Sequence, residues 1–178
     1  MAEETEITGP MAVKLWASSS SEDADIFVVL RVFSADLKEV VFRGALDPHT
    51  PVASGWLRAS HRKLDPARSK PWQPWHTHDA VQPLTPGEVT ELDIEIWPTC
   101  IVVPPGYRIG LTVRGRDYEN PWDTTLKLSN MKNVFRGCGP FLHDDPDNRP
   151  DSIFHNEVTL HLGPDRPSYA LLPVVPKQ

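Results

Sequence analysis

The chain has 178 residues, 19 prolines and a formal net charge of −6. That length suits one domain able to bury about 70% of its unfolded surface. The acidic residues are scattered and no basic stripe is visible, which excludes a nucleic-acid binder, and no apolar run approaches the ~20 residues of a membrane helix.

In chain order, residues 1–5 form an acidic lead, expected to be disordered or flexible, with neither a basic segment nor an apolar one. No secretory signal is therefore expected, and the expected location is cytoplasmic. Residues 6–178 are expected to form a single domain. Ile7–Pro10 reads as an edge segment ended by a Gly9-Pro10 turn, and Val13 and Leu15 alternate with Lys14 in the first full strand. Ser18–Asp25 is small and polar, a surface loop. Ile26–Phe33 (IFVVLRVF) is apolar on both faces except at Arg31, which predicts a central strand covered on both sides. A tight turn at Ala35–Lys38 leads into Glu39–Ala45 as its hairpin partner. Gly55–Ser60 is a further short strand, whereas Leu64–Pro86 carries five prolines and cannot stay regular. That stretch is expected to be an ordered loop anchored by Trp72, Trp75 and Val81.

The clearest signals come next. Leu92, Ile94 and Ile96 alternate with Glu91, Asp93 and Glu95, and Tyr107, Ile109, Leu111 and Val113 alternate with Arg108, Thr112 and Arg114. A strand turns successive side chains to opposite faces, so both segments predict sheet with one apolar and one wet face. After a turn-rich loop at Asp117–Asp123, a short strand is expected at Thr124–Leu128 and a loop over Asn130–Asp151. Glu157–Leu162 is expected as a strand with Val158, Leu160 and Leu162 inward, and Tyr169–Val175 closes the domain. No helical period persists. About nine short strands between turns and loops predict an all-β fold, a β-sandwich or jelly roll.

Several of these blocks together carry a family likeness: GWLRASHRKLD (Gly55–Asp65), the Trp/His/Pro loop, PLTPGEV (Pro83–Val89), LDIEIWPT (Leu92–Thr99), PPGYRIGLTV (Pro104–Val113), and the His161 and PSYALLPVVP (Pro167–Pro176) close. In that order they resemble the C-terminal domain of the Xaa-Pro dipeptidyl-peptidase and cocaine-esterase-like (CocE/NonD) serine hydrolases. The likeness runs from about Glu6 to Pro176. It implies a galactose-binding-like jelly-roll sandwich that packs on an α/β-hydrolase domain, where a Ser-Asp-His triad performs acyl transfer to water. A nucleophile elbow needs Gly-x-Ser-x-Gly between a strand and a helix; this sequence has none, so no catalytic residue carries over. The expectation is a non-catalytic accessory domain that stabilises the hydrolase and helps to wall its cleft. Its partner would be an α/β-hydrolase domain, in cis in the family or in trans here, and self-association is expected if that contact surface is bare.

Two other functions remain open at this point. Trp72 and Trp75, with Tyr118 and Trp122, could stack on a sugar, although loop aromatics serve domain interfaces equally well and the resemblance supplies a neighbour. His76 and His78 share a face if that stretch is extended, and with a third ligand they could bind a metal; the flanking prolines and the lack of a suitably spaced acid favour a structural or interface role. Trp72, Trp75, His76, His78, Tyr118 and Trp122 thus form the candidate interface or ligand set. No catalytic, cofactor-binding or metal residue is assigned, and no cofactor is expected. Glu91, Asp93 and Glu95 read as a solvated strand face; the aspartates of HDDPDN (His143–Asn148) are better placed to ligate calcium, since a loop can curl them together, but no calcium site is assigned. His155 and His161 read as hydrogen-bonding residues at a sheet rim. The two cysteines, Cys100 and Cys138, have no CxxC spacing and are expected to be buried small hydrophobes.

Overall fold

The alternating segments become the strands of two antiparallel sheets in the computed structural model, which describes residues 1–44, 47, 49–119 and 142–177. One sheet is built on β1 (Thr5–Ser19), which pairs along its length with β5 (Thr90–Val103). Its other edge takes β7 (Val158–Leu160) and β8 (Tyr169–Leu171) end to end. The second sheet is built on β2 (Asp25–Phe33), with β6 (Arg108–Arg114) on one side. β4 (Ala53–Arg58) and the short β3 (Glu39–Val40) share the other side. Among the described residues the only α-helix is a single turn, α1 (Asp151–Phe154). The fold is the all-β sandwich that the sequence predicts.

The core lies between the sheets. Met11, Val13 and Leu15 from β1 and Leu92, Ile94 and Ile96 from β5 meet Ile26, Val28, Leu30 and Val32 from β2. These are the inward members of the period-two patterns, and burying each Val, Leu or Ile contributes about 1.5–3 kcal/mol. As predicted, β2 is central. Its outward residues Phe27 and Val29 are also buried, and Arg31 on that face is held by a two-point bridge to Glu39 (2.8 and 2.6 Å).

Several expectations need correction. The Gly9-Pro10 turn does not occur: β1 runs straight through it. Gly9 pairs with Thr99 and Met11 with Ile96, so Trp97 and Pro98 together oppose Pro10 in a β-bulge. Proline cannot donate to a ladder, and the bulge places both prolines where pairing lapses. Gly9 takes φ +134°, a region open to glycine. β5 accordingly continues from Ile96 to Val103 before Pro104–Gly106 turns the chain across to β6 in the other sheet.

The hairpin at Glu39–Ala45 shrinks to two strand residues and an isolated Phe42–Thr50 bridge. In β7 only Val158 packs on the core, while Leu160 and Leu162 point to solvent, Leu162 at 75% exposure. β7 is an edge strand of three residues, too short for its alternation to bury a full face. The lead residues run beside the Pro104–Tyr107 turn, where the Gly106 amide donates to the Met1 carbonyl (2.9 Å) and Lys177 bridges Glu3 (2.6 Å). Cys100 is exposed and bonds Thr8, contrary to its expected burial. Cys138 and the strand expected at Thr124–Leu128 lie outside the described residues. No helix among the described residues is long and apolar enough to cross a membrane.

Candidate functional site

β4 and β5 are edge strands of different sheets, and they close one side of the sandwich by crossing tightly. A Cβ built on Gly55 would lie 1.9 Å from the Glu95 carbonyl oxygen. The Thr99 hydroxyl donates to the buried Val52 carbonyl (3.0 Å) beside the same junction. Outward residues of both strands meet over this corner: Trp56 and Trp97 contact at 5.6 Å between ring centroids, tilted by 51°, and are 43% and 63% exposed. His143 supports Trp56 from behind (5.1 Å) and is itself bonded to Asp117.

Beside the two tryptophans opens a cavity of about 350 Å³, lined by Asp25, Arg58, His61, His76, His78, Glu95 and Arg149 among others. Asp25 is buried at the start of β2 and is the electrostatic hinge of the site. Its Oδ1 accepts from Arg58 Nε (3.0 Å), and its Oδ2 accepts from Arg149 Nε (2.6 Å) and Arg58 Nη2 (3.2 Å). Arg58 also lies over the Phe154 ring (4.5 Å) and donates to the Asn148 carbonyl (3.1 Å). One carboxylate thus joins β2, β4 and the segment before α1.

The histidine wall comes from the 3₁₀ turn after β4 (Ala59–His61) and from the loop that follows. That loop folds back as a small hairpin. The Asp65 amide donates to the Trp75 carbonyl (2.8 Å), the Thr77 amide to the Lys63 carbonyl (3.0 Å), and Lys70 and Gln73 exchange a bond in each direction (both 3.0 Å). Pro74 and Leu84 are its buried anchors, rather than Trp72, Trp75 and Val81, which are all exposed. Prolines exclude a long ladder, so the loop is held by isolated pairs and by side-chain caps such as Asp65 Oδ1 on the Ala67 amide (2.8 Å).

The turn brings His61 to His78, whose Nδ1 atoms share a hydrogen bond at 3.2 Å, and the His76 ring lies 6.0 Å from that of His78, tilted by 44°. His78 holds φ +52°, a region that non-glycine residues seldom occupy. His76 Nε2 is buried with no hydrogen-bond partner. Burial, and then the neighbouring His78, hold His76 below its ordinary pKa of 6.5. The unfolded chain therefore takes up this proton first, and stability falls as pH drops below 6.5 toward the folded value. Urea unfolding of His76→Gln should show a shallower loss between neutral and mildly acidic pH than the wild type. Equal slopes would remove His76 from that dependence.

The six residues of the sequence-derived set are not brought together. His76 and His78 line the cavity; Trp72 and Trp75 are on the outer part of the hairpin, with Arg68 over the Trp75 ring (5.3 Å). Tyr118 is only 5% exposed, packed by Arg31 and Arg114, and donates to Glu39 (2.9 Å), so it offers no open ring. Burial and then Glu39 push its phenol well above the ordinary range. Trp122 lies outside the described residues. Glu91 and Asp93 form a strand face bridged by Lys14, as expected for a solvated surface. Asp145 caps its own turn through the Asp147 amide (3.0 Å) and Asn148 (2.7 Å), and His161 bonds Ser18 (2.9 Å) at the edge of the β1 sheet. No group of three or more His, Cys, Asp or Glu is arranged around a metal among the described residues. Sequence reasoning missed Trp56, Trp97, His61, Asp25 and Arg149. For the tryptophans a signal existed, since each occupies an outward position next to an inward Leu57 or Ile96.

Comparison with known proteins bears on the whole of this architecture. Residues 1–169 match the model of the X-Pro dipeptidyl-peptidase C-terminal non-catalytic domain. A protein named as a candidate serine esterase in Mycobacterium bovis is 34% identical over 117 residues, which is 63% of this chain and 17% of that protein. The same figures hold for a counterpart in Mycobacterium tuberculosis. Two crystal structures of a CocE/NonD family hydrolase from Staphylococcus aureus superpose with TM-scores of 0.76 and 0.78 at 26% identity, covering 98% and 99% of this chain but 29% of theirs. An α-amino acid ester hydrolase shares the fold at a TM-score of 0.60 and 19% identity, over 98% of this chain and 24% of its own.

Proposed function

The chain belongs to the X-Pro dipeptidyl-peptidase C-terminal non-catalytic domain family, and from that premise we propose that it is the accessory β-sandwich of a CocE/NonD-type serine hydrolase. In this reading it packs on an α/β-hydrolase domain, stabilises it and contributes loops to the wall of its substrate cleft. The observation that carries the reading is coverage: nearly all of this chain superposes on less than a third of a CocE/NonD hydrolase. Hydrolysis of a peptide, ester or amide acyl bond belongs to the rest of such an enzyme. The outward Trp56–Trp97 pair supports a neighbour, because large rigid aromatics held at the surface are enriched where proteins meet.

The test exchanges this sandwich for its counterpart in the staphylococcal hydrolase. The chimera is expected to melt higher and retain more ester hydrolysis than the same hydrolase lacking the segment. The isolated chain is expected to leave p-nitrophenyl acetate and an Xaa-Pro p-nitroanilide untouched. Turnover blocked by a serine-reactive phosphonate would overturn the non-catalytic role, and a chimera no better than the truncated hydrolase would overturn the accessory one.

A further inference from the structure

We propose that His61 and His78 form a two-histidine site for a borderline transition-metal ion, with the remaining coordination positions open to water from the adjoining cavity. The two Nδ1 atoms face each other at 3.2 Å. Zinc–imidazole bonds are about 2.0–2.1 Å long, so an ion held equally by both nitrogens would subtend about 103°, close to the tetrahedral value of about 109°. With no ion bound the contact is a hydrogen bond between one protonated and one bare Nδ1, and its length also matches the bite of two imidazoles on one ion. Imidazole suits zinc, copper and nickel, and carboxylate cages that would favour calcium are not formed among the described residues.

Three surroundings support the assignment. His78 sits in the left-handed region at φ +52°, and backbone held in such a conformation clusters at functional sites. Both rings border the cavity of about 350 Å³ rather than packed core, so an ion has an entry path and a place for its water ligands. Charge does not oppose a cation there: Arg58 and Arg149 are both engaged by Asp25, Lys63 by Asp79, and Glu95 adds a negative charge to the lining. His76 is on the same wall with its Nε2 buried and without a partner. As placed, the three rings do not converge on one point, so His76 is a reserve donor and the site is bidentate.

The experiment titrates Zn²⁺ and, separately, Cu²⁺ into the untagged full chain at neutral pH, followed by calorimetry. One equivalent of each is expected, with copper tighter than zinc. His61→Gln and His78→Gln should each weaken binding by about tenfold or more, on the scale of losing a supporting group at a metal site, while His155→Gln leaves it unchanged. In the unmodified protein, the spin-echo modulation of bound Cu²⁺ should report two imidazoles, a readout that needs no variant to fold. Lack of binding at millimolar metal, a signal from fewer than two imidazoles, or affinity unchanged in both folded variants would each overturn the site.

Discussion

Gly55→Ala is expected to be the most damaging addition of a methyl group at any of the described glycines. The new Cβ would lie 1.9 Å from the Glu95 carbonyl oxygen and 2.9 Å from its carbonyl carbon. Both are backbone atoms of a strand locked to β1 by its ladder, so no rotamer change relieves the overlap. Relief requires β4 and β5 to separate, which opens the closed side of the sandwich. Overpacking costs about 1–3 kcal/mol where side chains can adjust; here the clash is with backbone, and the expected loss is about 3 kcal/mol or more. For a domain of this size that lowers the melting temperature by roughly 6–12 °C. Gly110→Ala is the internal comparison, because its Cβ would meet only the Phe33 ring edge at 3.4 Å, and it should melt near the wild type. If Gly55→Ala and Gly110→Ala melt together, β4 and β5 are not in the close contact described.

The same corner marks how far the sequence could be read. Period two in Leu92, Ile94 and Ile96 identified an inward face because each position alternates with a carboxylate, and those three are buried as expected. The apolar run of β2 was equally legible, since only a strand covered on both sides keeps Ile26 to Leu30 apolar throughout. The bulge was not. Gly9-Pro10 and Trp97-Pro98 each look like a strand end when read alone; only the pairing of β1 with β5 makes them one irregularity, and pairing is a long-range fact. Leu160 and Leu162 failed for a related reason: alternation predicts a buried face only if the opposite sheet extends that far. At the site, the HTH run drew notice to His76 and His78. Their neighbour His61 and the Asp25–Arg149 bond depend on how the loop folds back and on two residues 124 positions apart. Local pattern carries no trace of such contacts.

Asp25→Ala is the second large effect expected. The carboxylate has a side-chain exposure of 7% and bridges two guanidiniums whose own side chains are 26% and 20% exposed. Removing it leaves Arg58 and Arg149 with like charges converging on a pocket wall and no anion between them. Breaking a buried ion pair by deleting one partner costs about 3–5 kcal/mol; the partial exposure of both arginines lets water reach them and places the expected loss near the lower end, about 3 kcal/mol. Arg149→Ala should cost less, because Asp25 keeps its two bonds from Arg58. The two substitutions share one network, so the double variant should be more stable than the sum of the single losses implies, with a coupling of about 0.5–3 kcal/mol. A loss within about 0.5 kcal/mol of the wild type for Asp25→Ala, the range of ordinary surface changes, would show that the network is not formed. Strict additivity would show that Asp25 and Arg149 do not share it. The network also fixes the segment before α1 against the end of β4, where Arg58 lies over Phe154. Its loss should therefore quicken amide exchange at Ile153 and Phe154, whose amides donate to the Pro150 carbonyl, before it disturbs the β1–β5 ladder on the far sheet.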